Sequence, residues 1–300
     1  MTQSYTQKPI PGKAPEKILP KGCGLVLEGG GTRGFYSAGV FDAFMGAGIM
    51  FPYIIGVSAG AANALSYITG QNGRNRQIVE KYVGNPKYVS KRNLLLHRSM
   101  FGMKFIFHEV PQKHIFLDWE MFNKQDITFF TGALDCNTGE TAWFNKSDIT
   151  PNLEATIASC SVPLLSPIFK FRGHKFLDGG IADPIPIEKS ISDGNTFHVI
   201  VLTRNKGYQK PVFKYKHILK LFYKKYPKVI EAVLNRHIIY NRQLALCEQL
   251  ESEGKAVIIR PLKPLQINET TGRDIEKLLE LYDEGYDEAK EKMNLILSRS

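Results

Sequence analysis

The stretch Gly56-Val57-Ser58-Ala59-Gly60 constrains this chain more than any other, because it sets a serine where a strand turns sharply into a helix. Tyr53-Ile54-Ile55 before it reads as a short buried strand, and Ala61 to Ile68 after it reads as a helix. A turn this tight strains its central residue, and side chains on either flank would collide, hence Gly56 and Gly60. The serine hydroxyl is pushed out at the end of a sheet, over the amino terminus of the following helix. That is how a nucleophile is presented. An ordinary Gly/Ser turn satisfies the same short pattern, so the motif needs support from the rest of the chain.

The surrounding pattern supplies a context. Gly24 to Leu27 is a short apolar run suited to a buried parallel strand. Glycines 29, 30 and 31 follow, and then Phe35 to Ala47 places Phe35, Ala38, Phe41, Phe44 and Met45 on one helical face, with Gly46 and Gly48 as stop signals. Strand, loop, helix, strand, elbow and helix in this order predict an α/β fold: a mainly parallel central sheet covered by helices on both faces. Residues 127–134 and 141–144 read as a hairpin, and 151–160 as a helix. Residues 169–171 and 175–177 flank a Gly173-His174 turn and lead into Asp178-Gly179-Gly180. Residues 197–202 and 256–259 are further buried strands, and 272–298 form a charged terminal helix interrupted at Gly285. No repeat or linker divides the chain. The expected organisation is a disordered, proline-bearing lead-in over 1–22, a catalytic core over 23–191, and an extension over 192–300 packed on the same domain.

Charge distribution bounds the partners. The formal net charge is +10, and no acidic residue occurs from Gly194 to Ile230. Arg204, Lys206, Lys210, Lys214, Lys216, Lys220, Lys224, Lys225 and Lys228 lie there among aromatic and aliphatic residues at roughly helical spacing. Such a stretch can rest on an anionic membrane surface, or it can be a solvated helix whose apolar stripe packs on the core. No nucleic-acid motif accompanies it, so nucleic acid is not an expected partner. Residues 71–117 are basic and end in Phe101, Phe105 and Phe107, which fits a lid or substrate-contacting insertion. Cys23, Cys136, Cys160 and Cys247 are scattered, without the spacing of a metal site, and read as reduced thiols. The first 21 residues lack the apolar core of a signal peptide, and no run is long enough to cross a bilayer. A cytoplasmic protein, peripheral at most to the inner face of the membrane, is expected, with no metal and no cofactor.

Gly29-Gly30-Gly31-Thr32-Arg33-Gly34 satisfies the dinucleotide-binding pattern G-x-G-x-x-G. That function needs an acidic residue about 20 positions on to hold a ribose, yet after Asp42 the next acidic residue is Glu80. The same loop suits an oxyanion hole, where backbone N–H groups at a helix amino terminus converge on a developing negative charge. Arg33 would hold the loop or add positive potential. Serine then needs a base. His97, His108 and His114 lie in the insertion, and His217 and His237 in the basic region. Ser58–Asp178–His198 satisfies the chain order of a hydrolase triad, but a histidine opening the strand Phe197-His198-Val199-Ile200 more commonly serves structure. Asp178 ends an apolar strand before two glycines, and a partly desolvated carboxylate within reach of the hydroxyl can itself act as base.

Together, the Gly29–Gly34 loop, the elbow around Ser58 and Asp178-Gly179-Gly180 resemble the patatin-like phospholipase family. Ala158-Ser159-Cys160-Ser161-Val162-Pro163 and Asp183-Pro184-Ile185-Pro186 are similar to that family's sequence around its aspartate, so the likeness spans 25 to about 191. The resemblance implies a three-layer α/β/α fold and a Ser58–Asp178 dyad in place of a triad. It further implies an oxyanion hole from Gly29, Gly30 and Gly31 and an acyl-enzyme route to lipid ester hydrolysis. Residues after 191 look like the extension of small bacterial members. The alternatives are acyl transfer to an acceptor other than water, or a membrane- or partner-binding protein on a silent hydrolase scaffold.

Overall fold

In the computed structural model, residues 10–264 and 272–300 are described. Ten strands and ten α-helices organise them. Two strands, β1 (Lys17–Ile18) and β3 (Ile49–Met50), form a small parallel ribbon. The other eight make one sheet: β2 (Cys23–Leu27), β4 (Tyr53–Val57), β5 (Thr128–Asp135), β6 (Thr141–Asn145), β7 (Phe169–Phe171), β8 (His174–Asp178), β9 (Phe197–Val201) and β10 (Ala256–Ile259). Their order is β10-β9-β2-β4-β5-β8-β7, with β6 paired to β5. From β10 through β5 neighbours run parallel, whereas β6, β8 and β7 pair antiparallel. The four strands β2, β4, β9 and β10 are buried at every position, which explains why they read as continuous apolar runs rather than alternating ones.

The helices are α1 (Phe35–Gly46), α2 (Ser58–Ile68), α3 (Arg74–Ile78), α4 (Lys91–His97), α5 (Trp119–Lys124), α6 (Glu154–Ser159), α7 (Ile187–Ser192), α8 (Lys216–Phe222), α9 (Pro227–Ser252) and α10 (Ile275–Arg299). Alternate strand residues feed two cores. Leu25, Leu27 and Ile54 pack with α1, α2 and Leu281, Ala289 and Ile296 of α10. Val26, Ile55 and Ile200 pack with Ile187 of α7 and with Tyr240, Leu244 and Cys247 of α9. The result is the three-layer α/β/α arrangement expected from the sequence.

Several local expectations need correction. Gly285 does not interrupt the terminal helix, because a Cβ there would lie 2.1 Å from the Tyr36 carbonyl oxygen, and one at Gly39 1.9 Å from that of Tyr282. The two glycines let α1 and α10 touch backbone to backbone. Residues 1–9 of the expected disordered lead-in lie outside the described residues. From residue 10 the chain is docked instead: Gly12 N–H donates to Asp118 Oδ2 at 3.0 Å, β1 pairs with β3, and Leu19 is buried. The 151–160 helix begins three residues late, at Glu154, after a turn. Residues 204–228 are not one amphipathic helix. They contain only α8 and then a break before Pro227 opens α9, so their spacing does not describe a single face. Residues 71–117 lack a regular helical period for a physical reason: wide π-helical turns span Val79–Val83 and Phe105–His114, the latter around Pro111.

Candidate active site

Strand β5 builds the site. Its residues 128–132 pair with β4 and its residues 133–135 pair with β8 along the same edge, while β6 occupies the other. Val57 therefore stands opposite Gly132, and Asp178 opposite the next residue, Ala133. Two strands arriving from opposite directions end against each other, and the residues at their carboxyl ends meet. Ser58 Oγ donates to Asp178 Oδ2 at 2.6 Å across a separation of 120 residues. Both side chains are buried, at 6% and 4% exposure.

Ser58 sits at φ +53°, a left-handed conformation that a non-glycine residue holds only when its surroundings fix it. A buried bridge does the fixing. The Ser58 N–H donates to Ser159 Oγ at 2.8 Å, and Ser159 Oγ donates to the Gly132 carbonyl at 2.6 Å. Ser58 is also the first residue of α2, so the positive end of that helix lies under its hydroxyl.

The glycine loop wraps the elbow closely. A Cβ on Gly34 would stand 2.7 Å from Ala59 Cβ, and one on Gly60 2.6 Å from the Glu28 carbonyl oxygen. Gly29 lies against Ser58 and Gly56 against Leu27 in the same layer. Among the described residues, the N–H groups of Gly29, Gly30 and Gly31 donate to no backbone acceptor. Gly31 and Thr32 share a cleft wall with Ser58. Arg33 is buried but does not line that cleft; its charge is felt by Lys210 and Tyr240.

Burial pushes the Asp178 carboxyl above its ordinary value, and the Ser58 hydroxyl, the Arg236 guanidinium and the Gly180 N–H pull it back. The Gly180 N–H donates to Asp178 Oδ1 at 2.8 Å, and Arg236 Nε donates to the Gly180 carbonyl at 2.6 Å. Gly179 packs on Gly132 and Val57, which completes the Asp178-Gly179-Gly180 turn. Behind the loop, Glu28 is buried and its Oε2 accepts the Thr203 N–H at 2.6 Å. Burial, with Arg236, Arg33 and Arg204 nearby, draws Lys210 down to about 7, while Glu28 opposes the shift. Two half-buried cations of the basic stretch, Arg204 over Tyr208 and Lys210 over Tyr240, thus stand behind the loop.

His198 stands apart from this cluster. It pairs with Gly24, level with Tyr53, five positions before Ser58 and hence about 16 Å below it at roughly 3.3 Å per residue. Its Nδ1 lies 3.1 Å from Ser190 Oγ, and burial lowers it to about 4. The Ser58–Asp178–His198 triad is excluded by that separation.

The cleft beside Ser58 is open to solvent, with about 960 Å³ of empty space in the cleft and its mouth together. Phe35, Ile78, Phe101, Ile106, Phe107 and Val110 supply much of its apolar wall, so the 71–117 segment forms one side of it. Phe105 faces elsewhere, against Tyr82 and His114. Cys160 also lines the cleft beside Ser58, and burial raises its thiol well above the usual range. Among the described residues no cluster of ligating side chains could hold a metal ion.

A family model described as Patatin-like phospholipase matches residues 25–190, more than half of the chain. The chain belongs to the patatin-like phospholipase family. A second model, Domain of unknown function (DUF6363), matches residues 226–299; this part of the patatin-like chain contributes α9, β10 and α10, and with them Arg236. Escherichia coli YjjU is 27% identical over 193 residues, covering 60% of this chain and 51% of that protein. Lysophospholipase NTE1 of Scheffersomyces stipitis is 30% identical over 187 residues, covering 59% of this chain and 11% of that protein. The chain therefore spans about half of YjjU and about a tenth of the lysophospholipase. Among solved structures, VipD from Legionella pneumophila superposes with a TM-score of 0.55 at 12% identity, covering 93% of this chain and 67% of that one. That likeness concerns the fold alone.

Sequence reasoning had no role for Ser159, Cys160 or Arg236. Ser159 and Cys160 stand inside a motif it had singled out, but their partners lie 101 and 102 positions away. Arg236 carries no local signal at all.

Proposed function

We propose that this protein hydrolyses carboxylic-ester bonds of lipids through a Ser58–Asp178 dyad, without a metal or other cofactor. The observation that carries this reading is the 2.6 Å hydrogen bond from Ser58 Oγ to Asp178 Oδ2 at the wall of an apolar cleft. Asp178 takes the hydroxyl proton as Oγ attacks the ester carbonyl. The tetrahedral oxyanion is met by the N–H groups of Gly29, Gly30 and Gly31, which have no backbone acceptor among the described residues. Asp178 then passes the proton to the leaving alcohol; in the second half it takes a proton from the water that attacks the acyl-enzyme and returns it to Ser58 Oγ as the acid departs. The lysophospholipase names among the relatives favour a lipid ester over other esters.

Peripheral contact with an anionic membrane is part of the same reading. In and around α8, Val212, Tyr215, Leu221 and Phe222 are exposed among Lys214, Lys216, Lys220, Lys224 and Lys225, a pairing that suits an interfacial surface. No helix among the described residues is long and apolar enough to cross a membrane.

A fluorophosphonate probe is expected to label the wild type at Ser58 and to leave Ser58→Ala unlabelled. Asp178→Asn should lose ester hydrolysis while its unfolding transition remains cooperative. Folded wild-type protein that resists labelling would refute the nucleophile, and near-normal turnover by Asp178→Asn would refute the base.

A further inference from the structure

The cleft that begins at Ser58 has a cation in its wall. Arg74, the first residue of α3, lines the same cavity and is only 5% exposed. Its Nε donates to the Phe116 carbonyl at 3.2 Å, its Nη1 to Ser66 Oγ at 3.0 Å, and its Nη2 to the Ile115 carbonyl at 2.9 Å. All three acceptors are neutral. Among the described residues no carboxylate pairs with Arg74, and the Tyr88 phenol is its one ionisable neighbour. A guanidinium carries five N–H groups, so these bonds leave two unspent. Burial draws Arg74 down to about 10, which still leaves it charged at neutral pH. A buried ion without a counter-ion is strongly unfavourable, and a ligand that brings the anion into the cavity compensates it.

Distance along α2 says where that anion would sit. Ser58, Ala59, Ala62, Asn63 and Leu65 line the cavity in turn, so it follows the helix away from the nucleophile. Ser66, which accepts from Arg74, comes eight residues after Ser58, or about 12 Å at roughly 1.5 Å per residue. A staggered hydrocarbon chain advancing about 1.3 Å per bond covers that span in about nine bonds. Asn75 continues the polar end, with Ser66 buried behind it: Ser66 Oγ donates to Asn75 Oδ1 at 2.8 Å, and Asn75 Nδ2 to the Asn63 carbonyl at 3.0 Å.

Resting on the reading of Ser58 as acyl acceptor, we propose that the substrate's acyl chain ends in a carboxylate held by Arg74. The cleft then takes ω-carboxyacyl esters of about eight to ten carbons, its apolar wall covering the methylenes. Plain acyl chains of the same length leave the guanidinium uncompensated and are the poorer ligands.

The test compares two ligands that differ only at the far end, monomethyl decanedioate and methyl decanoate. Calorimetric titration of the Ser58→Ala protein reads binding without turnover. The half-ester is expected to bind about ten-fold to a hundred-fold more tightly, as for a charge-assisted hydrogen-bonded pair. In the Ser58→Ala/Arg74→Met double variant the two affinities should converge. Because the primary comparison uses one protein with Arg74 intact, it does not depend on the double variant folding. Equal affinities, a preference for methyl decanoate, or binding of neither overturns the proposal and assigns Arg74 to holding the Ile115 and Phe116 carbonyls. Wild-type turnover separates the two readings: half-ester preference in binding without hydrolysis of either ester sinks the Ser58 reading alone, whereas hydrolysis without preference sinks the Arg74 proposal alone.

Discussion

Ser159→Ala tests how the elbow is held. The substitution removes one hydroxyl that both accepts the Ser58 N–H at 2.8 Å and donates to the Gly132 carbonyl at 2.6 Å. Ser159 is fully buried, so water cannot replace it without opening the core. Each orphaned group costs about 1–3 kcal/mol, or about 2–6 kcal/mol for the pair. With an unfolding entropy of about 2.1 cal/mol/K per residue, the loss over this chain corresponds to a Tm about 3–10 °C lower. The second consequence is local. Without the bridge the +53° backbone angle at Ser58 relaxes, and Oγ moves off Asp178. A displacement of about 1 Å is worth on the order of a hundred-fold in rate. Calorimetry and the rate of fluorophosphonate labelling measure the two effects. Ser161→Ala is the control, because its hydroxyl bonds only the Ile157 carbonyl of the same helical turn, and it should leave labelling unchanged. A Ser159→Ala protein with wild-type Tm and wild-type labelling would refute the reasoning.

Three further outcomes are expected. Arg236 pulls down an Asp178 carboxyl that burial has raised, so Arg236→Met should move the acid limb of the kcat/KM profile to higher pH; an unmoved limb would show that the guanidinium does not act on the base. Gly39→Ala forces a Cβ to within 1.9 Å of the Tyr282 carbonyl oxygen, and thermal unfolding should report a loss of about 1–3 kcal/mol or more, whereas an unchanged Tm would mean that α10 shifts freely on α1. Replacing Lys214, Lys220, Lys224 and Lys225 by glutamine should weaken sedimentation with phosphatidylserine vesicles by about 1 kcal/mol per lysine; unchanged binding would dismiss the membrane surface.

What the sequence revealed was what is local to it. The elbow at Ser58, the glycine loop and Asp178-Gly179-Gly180 each occupy a few consecutive residues at the end of a strand, where turn chemistry leaves a signature. The central strands were readable because burial on both faces makes them apolar without interruption. Partners joined through space left no such trace. Ser159 and Arg236 act on groups 101 and 56 positions away, and no periodicity encodes that. Gly285 shows the opposite error: a helix-breaking residue by propensity is a helix-packing residue once Tyr36 lies against it. In the lysine-rich stretch, neighbouring aromatic residues divide between core positions such as Tyr223 and exposed ones such as Phe222, a division that their spacing does not carry.

The shared edge of β5 also makes the site intolerant of folding errors. A slip of β8 by one residue would carry Asp178 about 3.3 Å along the strand and turn its side chain to the opposite face of the sheet. The 2.6 Å contact with Ser58 exists in one alignment only, the one that also seats Phe176 and Leu177 in their separate cores. A misaligned molecule would keep every residue of the dyad and lack the dyad. On the proposed dyad, specific activity per mole of chain measures the fraction of molecules whose hairpin has docked in register.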